Sequence, residues 1–222
     1  MLRTAALAAL LALTSIAAAP LPAPGSFYYI RPGQIDLTVL LPPPPDVASA
    51  QARSDELQVA AAVAGRNRVQ LLTAEEESAR TVFFYERSVG EGFTPQRLPV
   101  TAAFFGRVGS DVKHLIDEAK TYWDRPRPDG ARKRRGSYPS GHAAFAAASA
   151  IILAQLLPAK RDAIFTQART FAENRILLGL HYPSDIASGW TAGTLAAYVM
   201  MHDRAFTHDY AAAQTELRRA HL

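Results

Sequence analysis

An all-α, single-domain fold is what this 222-residue chain predicts. Apolar residues recur at helical spacing along most of its length. No alternating strand pattern of convincing length occurs, and Ser, Asp, Gly and Pro stand where the periodic segments begin and end. With 49% apolar and 20% charged residues, the composition is that of one compact domain with a sizeable core. No internal repeat is visible.

The chain opens Met1-Leu2-Arg3, is almost wholly apolar from residue 5 to 16, and passes through Ala17-Ala18-Ala19 to Pro20. A charged end, a greasy run and small residues, in that order, make a secretory signal peptide, too short for a membrane anchor. Residues 1–18 are read as this leader, with cleavage near Ala18 because Pro20 obstructs a cut after Ala19. The mature protein is therefore expected to be exported, periplasmic or secreted. It has no cysteine, so neither a disulfide nor a thiolate metal site can form. Eight of the fifteen prolines fall between residues 20 and 45, so 19–45 is read as an extended or polyproline-like arm and 46–222 as the helical domain.

Asp46 is placed to cap a helix over 48–64 that Gly65 stops. A second helical pattern runs through Val69, Leu72 and Glu75-Glu76-Glu77, and Thr94-Pro95 begins a third. Ser110 is read as the cap of the next, whose apolar face holds Val112, Leu115, Ile116, Ala119 and Trp123. Lys120 borders that face, and Arg125-Pro126-Arg127-Pro128 ends the helix. Further helices are expected over 140–157, closed by Pro158, over 159–180, and from Pro183 through Met201, taken as the last long apolar one. The apolar stretches 143–157 and 186–201 are shorter than the roughly 18 to 20 residues of a membrane span. They also contain Ser149, Gln155, Ser188 and Gly193, so they are read as core helices, and no integral span is expected in the mature chain.

Formal charge is +4, and the excess is local: Arg125, Arg127, Arg132, Lys133, Arg134 and Arg135 cluster. That suits an anionic partner. A nucleic-acid backbone is disfavoured, because stacking aromatics are sparse there and Pro126 and Pro128 stiffen the loop. The cluster is read as a solvated rim that attracts small phosphorylated molecules.

Arg175 stands inside the apolar stripe of Ile164, Ala168, Phe171 and Leu178. A guanidinium facing a core must be paired, either with a buried carboxylate or with an anion that its planar fork grips. Pro139-Ser140-Gly141-His142 opens a helix, where Ser140 is either an ordinary cap or part of an anion site built from free N–H groups. In His181-Tyr182-Pro183-Ser184-Asp185, Pro183 suits the first helical position and Asp185 the first turn. The carboxylate then reaches the imidazole and leaves its other nitrogen free as nucleophile or base; the alternative is a surface pair. No His/carboxylate cluster has convincing metal-site spacing, so no metal and no other cofactor is expected. His114, His202, His208 and His221 are assigned surface or packing roles.

Taken together, Lys120-x6-Arg127-Pro128, Pro139-Ser140-Gly141-His142 and Arg175-x5-His181-x3-Asp185 resemble the three-part motif of the PAP2 (phosphatidic acid phosphatase type 2) and vanadium haloperoxidase superfamily. Gly136-Ser137-Tyr138-Pro139-Ser140-Gly141-His142 is further similar to the signature of bacterial class A non-specific acid phosphatases, and Leu41-Pro42-Pro43-Pro44-Pro45 with Ser49 and Gln51 looks like a segment of that class. The resemblance implies a helical bundle of the PAP2/haloperoxidase type and hydrolysis of phosphate monoesters such as nucleotides, aryl and sugar phosphates, with vanadate as inhibitor. It implies that Lys120, Arg127, Ser140, Gly141 and Arg175 bind phosphate. His181 would be the nucleophile that becomes phosphohistidine, Asp185 its orienter, and His142 the acid to the leaving group. Association into a homo-oligomer is a further expectation from that class. Two positions depart from the pattern, Asn174 where Ser is usual and Ala143 where class A members have Thr. Haloperoxidases share the motifs but are generally much longer chains, and integral lipid phosphatases carry several spans; both fit this sequence less well than an exported phosphatase.

Overall fold

The computed structural model describes residues 27–130 and 136–222. The leader, the start of the arm and Arg132, Lys133, Arg134 and Arg135 of the basic run lie outside the described residues.

The described residues are mainly helical, without strands. The helices are α1 (Leu37–Leu40), α2 (Ala50–Gly65), α3 (Arg68–Glu76), α4 (Glu86–Val89), α5 (Pro99–Trp123), α6 (Gly141–Leu156), α7 (Arg161–Leu177), α8 (Pro183–Met200) and α9 (Arg204–Arg219). At the centre is α6, wrapped by α5, α7 and α8, with α9 against α5 and α2 and α3 against α7. Burial on every side explains why α6 is apolar all round rather than striped: Ala143, Ala144, Ala146, Ala147, Ala148, Ala150, Ile152 and Leu153 are all enclosed.

Small residues set how closely α8 approaches α6. A β-carbon on Gly189 would stand 2.3 Å from the Ser140 carbonyl oxygen, and one on Gly193 would stand 2.1 Å from that of Ala144. The two backbones touch there, and the contact fixes the start of α8 against the start of α6.

Three details differ from the sequence reading. Ser49, whose hydroxyl accepts the Ala52 N–H at 3.1 Å, caps α2; Asp46 instead closes a turn one step earlier by accepting the Ala48 N–H. Ser110 is not a cap but lies within α5, which starts at Pro99 because proline suits a first turn. The helix is then 25 residues long and ends at Asp124 in the left-handed conformation. Helix α9 follows Met201 and is not expected from the sequence: only Phe206, Ala213 and Leu217 of it are fully buried, with Tyr210 partly buried against the core. Asp203 caps it through the Ala205 and Phe206 N–H groups.

The described part of the arm enters the core. Tyr29, Ile30, Ile35, Leu37 and Leu41 are buried, and the Asp111 carboxylate of α5 accepts the Tyr28, Tyr29 and Ile30 N–H groups at 2.7, 2.8 and 3.0 Å. Hydrogen bonds to a charged acceptor contribute about 1.5–3 kcal/mol each, so this carboxylate anchors the segment. Among the described residues no helix is long and apolar enough to cross a membrane.

Gly193→Ala is expected to destabilise the protein by about 1–3 kcal/mol or more, because the added methyl has only backbone to displace. Gly65→Ala, where nothing lies within 4 Å of the new atom, is expected to stabilise it by about 0.4–1 kcal/mol. Urea unfolding of both variants checks the contrast, and similar effects at the two positions would refute the close packing of α6 on α8.

Candidate active site

Three loops converge at one end of the bundle: the exit from α5, the entry to α6 and the turn between α7 and α8. Each is bent by a local device. After α5, the chain pairs with the segment preceding α6. The Ser137 N–H donates to the Arg125 carbonyl at 2.8 Å, and its hydroxyl donates to the Pro126 carbonyl at 3.2 Å. Gly136 permits this approach, since a β-carbon would lie 3.1 Å from the Arg125 nitrogen. The Tyr138–Pro139 bond is cis. Tyr138 is buried edge-on against Trp123, with its hydroxyl donating to the Pro42 carbonyl.

The turn after α7 explains the spacing from Arg175 to His181. Gly179 adopts φ +67°, and the Leu180 N–H donates back to the Arg175 carbonyl at 3.0 Å. This is the closing bond of a glycine-terminated helix, and it turns the chain so that His181 stands beside the helix end that carries Arg175. Pro183 then starts α8.

His181 is buried and held from both sides. Its Nδ1 lies 3.3 Å from Asp185 Oδ2 and its Nε2 lies 3.2 Å from Arg127 Nη1. Burial pushes the Asp185 carboxyl up, but the hydrogen bond from His181 and the Arg125 charge bring it below the usual range. An ionised carboxylate only accepts and a guanidinium only donates, so the proton sits on Nδ1 and Nε2 presents its lone pair. Burial, with Lys120 and Arg127 nearby, lowers the imidazole pKa to about 4 despite the favourable carboxylate.

The cations sit on the same side. Lys120 Nζ donates to the Gly136 and Ser137 carbonyls, and burial plus the charge of Arg127 bring it down to about 7. Arg127 also donates to the Leu180 carbonyl at 2.8 Å. Arg175 is buried and donates to the Ala74 carbonyl at 2.6 Å, while its Nε has no hydrogen-bond partner. Among the described residues no carboxylate pairs with it; burial lowers it to about 10, with Glu77 only partly offsetting. Of the two readings of Arg175, the carboxylate-paired one is therefore not met, and an anion acceptor is what the guanidinium lacks.

Ser140 caps α6 by accepting the Ala143 N–H, and its own N–H donates to the Asp185 carbonyl at 2.9 Å. That bond ties the entry of α6 to the first turn of α8 and leaves the N–H groups of Gly141 and His142 at the positive end of the helix. His142 is half-buried, its Nε2 3.0 Å from the Ser78 carbonyl. Burial first, then Arg175, Arg80 and His181, bring it down to about 3. Arg127 links His181 to the Gly136 carbonyl on which Lys120 also rests, and the charge of Arg175 is felt by His142.

The departures have local explanations. The Asn174 amide donates to Glu77 at 2.9 Å, bracing α7 against the end of α3. Ala143 packs where Gly189 passes, 3.0 Å from a notional β-carbon. The remaining histidines are peripheral: His202, His208 and His221 are exposed, and His114 is half-buried against Phe27.

Arg125 is a correction to the sequence reading, which placed it on a solvated rim. Only 10% of its side chain is exposed. It donates to Asp185 Oδ1 and Ser184 Oγ at 2.7 Å each and to Asp55 Oδ2 at 3.0 Å, while lying 4.1 Å over the Tyr182 ring. Asp55, fully buried on α2, also accepts from the Ser184 hydroxyl. Sequence reasoning missed this pair; Asp55 is followed by Glu56 in an ordinary helical stretch, and no spacing sets it apart. Among the described residues no group of three or more His, Asp or Glu side chains is placed to hold a metal ion.

The three motifs thus meet at one end of the bundle, through the contacts of Arg127 with Leu180 and His181 and of Ser140 with Asp185. Residues 100–208 match the PAP2 superfamily, and all three motifs fall within that stretch. The chain is 28% identical to an acid phosphatase of Zymomonas mobilis subsp. mobilis over 89% of its own length and 80% of that protein. It is 27% identical to a non-specific acid phosphatase of Providencia stuartii over 72% of each. Its fold is similar to that of a transmembrane PAP2 type phosphatidylglycerolphosphate phosphatase from Bacillus subtilis, with a TM-score of 0.51 at 20% identity, covering 70% of this chain and 87% of that one.

Arg125→Ala is expected to cost about 3–5 kcal/mol of stability, since it leaves two buried carboxylates without their partner. Urea unfolding at neutral pH measures it. A loss under about 1 kcal/mol would return Arg125 to the rim.

Proposed function

We propose that the protein is an exported, metal-independent acid phosphatase of broad specificity that hydrolyses phosphate monoesters through a phosphohistidine. The relatives named acid phosphatase support hydrolysis of phosphate monoesters, and the leader-like N-terminus supports export. One observation carries the mechanism: His181 is locked in the tautomer that aims a lone pair from Nε2 toward the side where Arg127 stands.

The substrate phosphoryl group displaces solvent between Lys120, Arg127 and Arg175, which hold its non-bridging oxygens, and the N–H groups at the start of α6 add hydrogen bonds. The Nε2 lone pair of His181 attacks phosphorus, and the bond from phosphorus to the ester oxygen breaks. The departing oxygen takes a proton from His142, and Asp185 stabilises the positive charge gained by His181. Water then attacks phosphorus and gives its proton to His142. The phosphorus–nitrogen bond breaks, returning the pair to Nε2 and releasing phosphate. The positive charge needed by the transition state comes from side chains.

His181→Ala is expected to lose essentially all turnover. His142→Ala should retain far more activity on p-nitrophenyl phosphate, whose leaving group needs no proton, than on an alkyl phosphate. Parallel kcat measurements with chelator present check both; equal losses on the two esters, or loss of wild-type activity to the chelator, would refute this assignment.

The acidic preference has a cause in Lys120. Its pKa of about 7 lies well below the ordinary lysine value, so the cradle loses a cation as pH rises through 7, and affinity for the dianion falls. Lys120→Arg, which does not titrate in this range, is expected to hold KM nearly constant from pH 6 to 8 while wild-type KM rises. Identical KM–pH curves would remove Lys120 as the cause.

A further inference from the structure

Arg80 lies outside the three motifs and outside residues 100–208. It is exposed and makes no hydrogen bond or ion pair among the described residues. Its guanidinium nevertheless lies against the first residue of α6: a β-carbon on Gly141 would be 3.1 Å from Arg80 Nη1. Its charge acts on both Lys120 and His142. It therefore stands at the mouth of the oxyanion site.

Its side of that mouth follows from His142. The imidazole is fixed by the carbonyl of Ser78, two residues before Arg80, so Arg80 and the proposed proton donor to the leaving group share one short segment. In-line displacement sends the leaving group away from His181, hence toward this segment. A groove of about 350 Å³ is lined by Arg80, by Gly141 at the start of α6 and by residues of α5 that include Lys113. Phe105 and Phe145 contribute apolar walls, and Gly109 leaves room between them. Lys113 is already paired with Asp117 at 2.6 Å, which leaves Arg80 as the cation in that groove with no partner among the described residues.

We propose that this groove seats the leaving group and that Arg80 binds a second anionic group on it, so that the protein prefers monoesters carrying a carboxylate or another phosphate close to the scissile ester. The inference rests on the phosphatase reading above, with His142 on the leaving-group side. Three cations and a helix start already surround the phosphoryl group. Arg80, exposed on the groove beside Gly141, is placed to act on what departs rather than on what is transferred.

A matched pair tests it: phenyl phosphate and 3-carboxyphenyl phosphate, assayed with wild type, Arg80→Ala, Arg80→Lys and Arg80→Glu. An exposed charge pair is worth a few-fold at most, so wild type is expected to favour the carboxylate ester by about three- to fivefold in kcat/KM. The preference should shrink in high salt, survive in Arg80→Lys, vanish in Arg80→Ala and invert in Arg80→Glu, with phenyl phosphate little changed throughout. Equal loss on both esters in Arg80→Ala would assign Arg80 to the transferred group and overturn the proposal, as would a wild type indifferent to the carboxylate. Hydrolysis of neither ester would instead bring down the phosphatase reading, and this proposal with it.

Discussion

The structure depends on holding like charges close together. Lys120, Arg127 and Arg175 share a space with two neutral imidazoles, and burial with mutual repulsion lowers the pKa of Lys120 and of both histidines. Such an assembly is unstable unless other groups hold each member in place. Main-chain carbonyls do most of this: Gly136 and Ser137 for Lys120, Leu180 for Arg127, Ala74 for Arg175. A carbonyl dipole orients a cation without neutralising it, so the attraction for a phosphate dianion is retained. Paired carboxylates in those places would have stabilised the empty site and weakened its use.

Among these motif-region cations Arg125 is paired with carboxylates. Arg125 lies behind the site, clamped by Asp185 and Asp55. Asp185 thus has divided duties: one oxygen accepts from Arg125, the other from His181 and the Tyr182 N–H, and its carbonyl accepts from Ser140. Through it, the nucleophile candidate on one loop is positioned relative to the helix start on another. The backbone contact of α8 on α6, made possible by Gly189 and Gly193, provides the same registration over a longer span. Loop precision here is inherited from helix packing.

What was legible in the sequence follows from which interactions are local. Arg175, Gly179 and His181 belong to one helix end and its cap, so their relation is encoded in consecutive residues; the same holds for Ser140 and the start of α6. The core helices could be read because burial writes itself as uninterrupted apolar residues in α6. By contrast, Asp55 meets Arg125 across 70 positions, and nothing in either neighbourhood marks the encounter. Helix α5 was divided at Ser110 because a good capping residue inside a helix looks like a boundary, while α9, whose exposed face is polar, offered only a narrow apolar stripe. The arm looked structureless from its prolines, but its anchor is Asp111, some eighty residues away.

The proton balance adds a last constraint. The acid role that the resemblance implies for His142 needs a proton, yet burial and the neighbouring charges bring its pKa down to about 3, below even that of His181. Among the causes is Arg175, whose charge the phosphoryl group offsets in the proposed reaction, which would raise His142 toward its ordinary range and supply the acid when there is a leaving group to protonate. His181 is held differently, by a carboxylate already present whether or not the site is filled, so its lone pair is directed before substrate arrives. The opposite roles proposed for the two imidazoles thus have a physical origin: His181 faces a permanent anion, Asp185, whereas the groups acting on His142 are mainly cations.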